Sequence, residues 1–532
     1  MITSIEIENF KAFGKPQRID LRPLTLLYGP NSSGKSSVIH AIHYAYEVLV
    51  NRNYDVGRTE LGGDQIDLGG FRNIIHNRDL SQSIRLKFDL DLSRRSWPNF
   101  PELFLRHEQQ LEPVEARIRD AGSASIQFAI RWDERTARTY CSEYTVWVDG
   151  DYLIKVENFG VPGAAYVAGI NENHAFFIDD ADDAEPRRNL LTLIDWASGS
   201  SGDSGVALRM LDGLPVFEEL PLFEIDDERL TDDEIGSVGN PYSLPHSLMT
   251  MLGMAMVGPG LLLREELRRW FRYVGPIRAK PSRQRTPSDR VDSRSWWNGL
   301  AAWDYLATAA PGFIESVSNW LSDPALLDTG YELQVRRIRQ LDEATPLYVK
   351  LAAGLAFDEV DDLPANLRDL PIRRDPYLID RRTRLSLHPH DVGEGIAQVL
   401  PVVVGLLAEG ASLVAVEQPE YHVHQRVQLG IGDLLVDSIR GRRQGDSWPL
   451  RALVETHGEP PLLRVMTRVK KMKEAEKDGE PALNAADVSV LFIANRDGEA
   501  EVRNVGITDK GDFGQPWPDN QFEVDFDERF AR

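Results

Sequence analysis

Leu24-Thr25-Leu26-Leu27-Tyr28-Gly29-Pro30-Asn31-Ser32-Ser33-Gly34-Lys35-Ser36 is the stretch on which the reading of the whole chain turns. Leu24 to Tyr28 is apolar enough for a strand buried on both faces, and it ends on a glycine. Gly29 and Gly34, followed by Lys35-Ser36, have the spacing G-x-x-x-x-G-K-S. Ser36 to Val50 then carries Val38, Ile39, Ile42, Ala45 and Val48 at helical spacing. In this strand–turn–helix context the glycines let backbone N–H groups close around phosphates, and the helix N-terminus adds positive potential. Asn31, Ser32, Ser33, Gly34, Lys35, Ser36 and Ser37 are therefore expected to line a nucleotide, with ATP and Mg2+ as occupants. Lys35 would reach the β- and γ-phosphates, and Ser36 would ligate the metal.

Working outward, Ile5 to Asn9 reads as a strand, and Ser83 to Leu92 alternates with Ile84, Leu86, Phe88 and Leu90 on one face. Far downstream, Leu413-Val414-Ala415-Val416 is a second apolar strand that ends on Glu417-Gln418-Pro419-Glu420. Glu417 is the expected acid for Mg2+ or its water. Gln418 orients a water but takes no proton, so hydrolysis is expected to be slow unless Glu420 or another carboxylate substitutes. Ahead of that strand, Asp391 to Gln398 puts Gly393 and Gly395 at the start of an apolar helix, Gly395 to Leu407, which is a second anion-binding turn. Two phosphate cradles in one chain predict that the second serves the γ-phosphate of a neighbouring copy. Thr456-His457, after apolar Leu453-Val454, places His457 as a γ-phosphate contact.

These motifs, with Asn9-Phe10-Lys11-Ala12-Phe13, Tyr273-Val274-Gly275-Pro276-Ile277-Arg278 and Trp517-Pro518, make the chain resemble prokaryotic AAA/ABC-type P-loop ATPases related to the SMC, RecF and OLD proteins. Its nearest likeness is a branch with a C-terminal domain of unknown function. The resemblance implies an α/β fold: an ABC-type head of mixed sheet and flanking helices in two lobes, sandwiching two ATP molecules between protomers. Lys11, in the first of these stretches, joins the nucleotide-binding set. Glu417-Gln418-Pro419-Glu420 is then a family variant, whereas Gly458 departs from the usual serine, as does the acidic tail Glu523 to Glu528 from the family pattern. OLD-type relatives carry a Toprim nuclease after the ATPase. No matching Asp-x-Asp and glutamate constellation follows His457, so no built-in nuclease is expected.

Residues 1–95 are expected to form the N-terminal part of the head, 96–370 a large α+β insertion partly packed on it, and 371–532 the C-terminal part. Within the insertion, Glu102 to Asp120 and Leu261 to Phe271 read as helical and Ile126 to Val156 as antiparallel strands. No sustained heptad run occurs, so no long coiled coil is expected.

A net charge of −23 argues against broad, sequence-independent attraction to nucleic acid. A local patch remains open: Arg278, Lys280, Arg283, Arg285, Arg290 and Arg294, followed by Trp296-Trp297, either contact DNA or pair with nearby acids. Arg373, Arg374, Arg381, Arg382 and Arg384 form another basic cluster, while Asp179–Glu185, Glu224–Glu234 and Asp358–Asp362 read as solvated acidic loops. His422-Val423-His424 beside Glu420 reads as part of the loop rather than a zinc or iron site. A single cysteine, Cys141, excludes an internal disulfide and fits a cytoplasmic protein. Leu248–Leu263 and Gly395–Val416 are interrupted by Gly258-Pro259-Gly260 and by Gln398, Pro401 and Glu409, so no membrane span is expected.

The functional expectation is an ATP-binding, slowly hydrolysing ATPase whose ATP-dependent dimerisation, alone or within larger assemblies, is a switch or sensor. It would control a separately encoded effector in anti-phage defence. The alternatives are a RecF- or SMC-like DNA-maintenance ATPase and an ATP-bound scaffold without turnover.

Overall fold

The computed structural model describes residues 1–93, 120–160, 165–171, 173–175, 207–208, 210, 213–215, 223–224, 244–354, 367–443, 449–475 and 483–518. Its centre is a six-stranded sheet in the order Phe271–Val274, Leu413–Glu417, Arg451–Glu455, Leu24–Tyr28, Val488–Arg496 and Glu499–Asn504. The first five strands run parallel and the last closes an antiparallel hairpin. Leu24–Tyr28 and Leu413–Glu417 are buried at every position, as parallel strands covered on both faces must be.

Alternation along these strands feeds two separate cores. Leu27, Leu413, Ala415, Leu453, Leu491 and Ile493 face one; Leu26, Tyr28, Val414, Val416, Val454 and Phe492 face the other. The first core is roofed by a nine-stranded antiparallel sheet that includes Ile2–Glu8, Ser83–Asp91, Ser123–Asp133, Arg138–Val148 and Asp151–Asn158. Between that sheet and the central one lie the helix Lys35–Leu49 and the helix Leu244–Glu265, the latter tied by the Tyr144 hydroxyl donating to the Met256 carbonyl at 3.1 Å. The second core is built by helices Leu300–Thr308, Pro311–Ser322, Glu394–Leu407, Gln425–Arg443 and Glu459–Ala475. A three-stranded sheet, Tyr331–Arg339, Ile372–Asp380 and Ser386–Leu387, extends from this lobe.

The segment 96–370 thus contributes to both lobes. It continues the N-terminal sheet through Ser123–Asn158, and its strand Phe271–Val274 enters the central sheet. The expected helix over Leu261 to Phe271 differs: Leu244–Glu265 is α-helical through Pro259, Glu266–Trp270 forms a π-helical turn, and Phe271 opens a strand. The expected helix at 102–120 falls outside the described residues except for Asp120. So do the acidic segments at 179–185, 358–362 and 523–528, and most of 224–234. Among the described residues the longest helix is Leu244–Glu265, so no long coiled coil is present, and no helix is long and apolar enough to cross a membrane.

Candidate functional site

The site gathers at the carboxyl ends of the central strands. Gly29 sits at φ +142, and a Cβ there would lie 2.1 Å from the Ile493 carbonyl oxygen, so the turn can leave the strand only with glycine. Gly34, at φ +108, is wedged against Ala12 and Ala500. Ser32 between them is also left-handed, at φ 62. The loop is therefore wound by its neighbours, including the Lys11–Ala12 turn. Lys35 folds back over it and donates from Nζ to the Gly29 and Pro30 carbonyls at 2.9 and 2.7 Å. Burial holds its pKa below the usual lysine value, with Glu455 pulling the other way.

Two carboxylates stand side by side behind the loop. Glu417 and Glu455 end neighbouring strands and are register partners, 7% and 4% exposed. Glu417 is pushed up to about 8 by burial first and by Glu455 second; the Tyr273 hydroxyl, which donates to its Oε1 at 3.0 Å, and the charges of Arg278 and Lys11 oppose this. Glu455 is raised in the same sense, burial leading and Glu420 adding, against the Ser36 hydroxyl, which donates to its Oε1 at 3.0 Å, and Lys35. Paired buried carboxylates favour a bound cation or a shared proton. Lys11 Nζ lies 2.7 Å from His40 Nδ1, and burial draws its pKa down to about 8.

These residues fit a nucleotide with a divalent cation. A serine hydroxyl beside carboxylates is a hard-oxygen donor set of the kind Mg2+ takes. The Glu455 Oε2 and Ser33 Oγ atoms are buried without hydrogen-bond partners, and the glycine turn leaves a cradle that side chains would fill.

The turn after Glu417 is held from both sides. Gln418 adopts φ 44, its N–H donates to the Glu455 carbonyl at 2.8 Å, and Arg278 clamps it from the other side. The Arg278 guanidinium is 2% exposed and donates to the carbonyls of Glu417 (2.5 Å), Gln418 (3.4 Å) and Gln398 (3.3 Å). The Gln398 side chain completes the clamp, accepting from the Arg278 N–H at 3.0 Å and donating to its carbonyl at 2.8 Å. Glu420 accepts from the N–H groups of His457 (2.7 Å) and Gly458 (3.2 Å), and so acts as the brace of the loop that presents exposed His457. Burial first and the Lys35 charge second hold the His457 pKa below its usual value.

Gly393 and Gly395 begin the helix Glu394–Leu407. A Cβ on Gly393 would meet nothing within 4 Å, while Lys280 bridges the Val392 carbonyl and Glu394, both at 2.9 Å. The structure thus brings Lys11, Lys35, Ser36, Glu417 and Glu455 into one cluster, and links the Gly393 helix to it through Gln398 and Arg278.

The basic segment shows the pairing with nearby acids that was one of its two readings. Arg278 is interior, Arg285 pairs with buried Asp304 at 2.6 Å, Arg283 pairs with Asp391, and Arg294 pairs with Asp292 at 3.1 Å. Trp296 is buried under Arg272, and Trp297 packs over Gly63. Arg283, Arg285 and Arg294 meet acids, Lys280 an acid and a carbonyl, and Arg278 carbonyls of their own chain, while Arg290 is exposed. Two residues with no role assigned from sequence, Glu455 and Tyr273, prove central, as does Arg278, which the sequence placed in the basic patch. All lay in stretches already singled out, but their roles depend on which strands become neighbours.

Residues 4–142 match the family model described as an AAA domain. No curated protein matches the chain. The chain is similar to the SMC head domain from Thermotoga maritima, at 10% identity and TM-score 0.35, covering 95% of this chain and 98% of that one. It is also similar to a Smc head domain with an extended coiled coil bound to the C-terminal domain of ScpA, derived from Pyrococcus furiosus, at 11% identity and TM-score 0.36, covering 100% and 99%. The glycine turn, the parallel sheet that carries it and the AAA domain match over residues 4–142 make this a P-loop α/β fold.

Proposed function

We propose that the chain binds MgATP, hydrolyses it slowly, and uses ATP-dependent pairing of two copies as a switch acting on a separate effector. The observation that supports this reading is the presence of two glycine turns, each opening a helix, Lys35–Leu49 and Glu394–Leu407. The Gly29–Ser36 turn exposes Pro30, Asn31 and Ser32 above buried Ser33 and Lys35, and the turn at Gly393 is exposed at the start of a second helix. In the proposed dimer each chain supplies the first turn to one ATP and Gly393 and Gly395 to the other.

Lys35 leaves the Gly29 and Pro30 carbonyls to meet the phosphates, and Ser36 with Glu417 or Glu455 holds the metal. Bound Mg2+ supplies charge neutralisation at the β- and γ-phosphates. Gln418 orients the attacking water, and the missing carboxylate at that position accounts for slow turnover. His457 reaches the γ-phosphate from the loop braced by Glu420. Lys11 supports the Glu417 side of the cluster by charge.

Light scattering after size exclusion tests this. Mass is expected to double with ATP in the wild type and to stay monomeric in Lys35→Ala; a mass indifferent to ATP would remove the switch. Purification from the native host with and without ATP then shows whether an effector follows the nucleotide state.

A further inference from the structure

We infer that the ribbon of Val335–Arg339 and Ile372–Pro376 is a docking edge for an extended acidic segment of a partner protein, in which carboxylates alternate with apolar residues. The ribbon shares no residue with the nucleotide cluster and stands apart from the MgATP reading. Its strand Tyr331–Arg339 is the outer strand of the three-stranded sheet. The Leu333 N–H leaves the ladder and donates to the Ser318 hydroxyl at 3.0 Å. Residues of an antiparallel strand alternate between bonding their neighbour strand and turning away from it. With the register unbroken from Tyr331 to Arg339, Val335, Arg337 and Arg339 therefore turn away as Leu333 does. Their N–H and C=O groups meet no backbone partner among the described residues, which makes this edge a template for an added strand.

Charge selects what is added. Pairs turned away from the ladder are the closer kind, with Cα atoms about 4.5 Å apart, and in one of them Arg337 stands directly opposite Arg374. Like charges so placed destabilise a sheet. Among the described residues Arg337, Arg339 and Arg374, all exposed, pair with no acid; Arg339 donates to the Arg368 and Leu370 carbonyls and Arg374 to the Ala307 carbonyl at 3.4 Å. On the opposite face Arg373 pairs with Asp375 at 2.7 Å and Arg336 lies over the Tyr377 ring at 4.0 Å, while Ile338 is 39% exposed. One face thus offers guanidinium groups free of acids and the other an aliphatic side chain, and a strand of alternating acidic and apolar residues meets both. Arginine forks suit carboxylates, which they grip through paired hydrogen bonds. Residues 331–339 and 367–387 carry nine arginines against four acids in a chain of net charge −23, so an acidic partner repelled elsewhere is directed here. A phosphodiester backbone uses neither an open strand edge nor an aliphatic face, and the partner is therefore protein rather than nucleic acid.

The test titrates the full chain with a labelled peptide of alternating glutamate and valine, as long as Tyr331–Arg339, and follows fluorescence anisotropy. Binding is expected to weaken as salt rises and to be absent for the glutamine counterpart. N-methylating alternate amides separates strand addition from charge alone: one set of methyl groups is expected to abolish binding and the other to spare it. Arg374→Glu converts the like-charge pair into an opposite one, so it is expected to raise the melting temperature and yet weaken peptide binding about tenfold. A folding defect cannot give that combination, and Arg337→Glu carries the same two expectations from the other strand. No binding of the glutamate peptide overturns the inference. So does binding indifferent to both reversals or to both methylation patterns, and so does a ribbon that takes duplex DNA in place of the peptide.

Discussion

Replacing Arg278 with methionine should uncouple the turn after Glu417 while leaving the P-loop itself in place. The guanidinium is buried so completely that desolvation draws its pKa to about 10, and it stays in place because it donates to three backbone carbonyls. Two of these, Glu417 and Gln418, belong to the turn in which Gln418 is held at φ 44. Leaving a buried acceptor without its donor costs about 1–3 kcal/mol, and a left-handed non-glycine residue stores roughly 1–2 kcal/mol that the clamp restrains. Relief of the guanidinium's own desolvation offsets part of this, leaving a net loss of about 3 kcal/mol for breaking the buried network. If that loss falls on the turn, turnover drops by about 100-fold, since each 1.36 kcal/mol is tenfold. The assay is steady-state phosphate release with binding of a fluorescent ATP analogue in EDTA and thermal unfolding alongside. Expected are a lowered melting temperature, near-normal metal-free binding and turnover reduced by about two decades. Turnover and melting both unchanged would refute the clamp; a variant defective only in DNA binding would return Arg278 to a surface role.

Gln418→Glu supplies the missing proton acceptor and is expected to raise turnover in the phosphate-release assay; an unchanged or lower rate means Gln418 does not face the water. Glu417 has a folded pKa near 8, above its unfolded value, so its neutral form stabilises the nucleotide-free protein at low pH and that contribution fades as pH climbs from about 4.5 to 8. Glu417→Gln should flatten the fall in melting temperature across that window, and a slope identical to wild type would count against the shift. Gly29→Ala forces a Cβ against the Ile493 carbonyl and should abolish analogue binding, whereas Gly393→Ala meets open space and should leave melting unchanged while weakening ATP-dependent dimerisation in light scattering. Full dimerisation by Gly393→Ala argues that the second turn is not part of the interface.

Local chemistry was legible wherever neighbours in sequence carry it. Leu24–Tyr28 appears as read, and the helix after it differs from expectation by one residue at each end. Of Phe271–Val274 only Phe271 falls in the expected helix Leu261 to Phe271; four residues buried on both faces have no period to betray a strand, and the π-helical turn before them leaves no glycine or proline mark. Arg278 read as surface because basic residues follow it, yet the acceptors that hold it inside lie at Gln398, Glu417 and Gln418. Tyr331–Arg339 does alternate, Tyr331-Glu332-Leu333-Gln334-Val335-Arg336, yet of the whole strand Leu333 alone is buried. Glu455 shows the limit most clearly. Its importance follows from lying between Glu417 and the P-loop, a fact of strand order that spacing along the chain does not encode.

That strand order also sets a timetable for biosynthesis. Leu24–Tyr28 leaves the ribosome early, but both of its lateral partners, Arg451–Glu455 and Val488–Arg496, are made near the end, and the Arg451 side chain reaches the Leu21 carbonyl across 430 residues. At about 5–20 residues per second, the nucleotide-loop strand waits on the order of 20–90 s with both edges unpaired. Meanwhile the antiparallel hairpins of Ser123–Asn158 close over short spans and do not need the late strands. A newly made chain therefore passes through an interval in which closed hairpins stand beside an apolar strand with both edges unpaired, the condition that invites pairing with other chains.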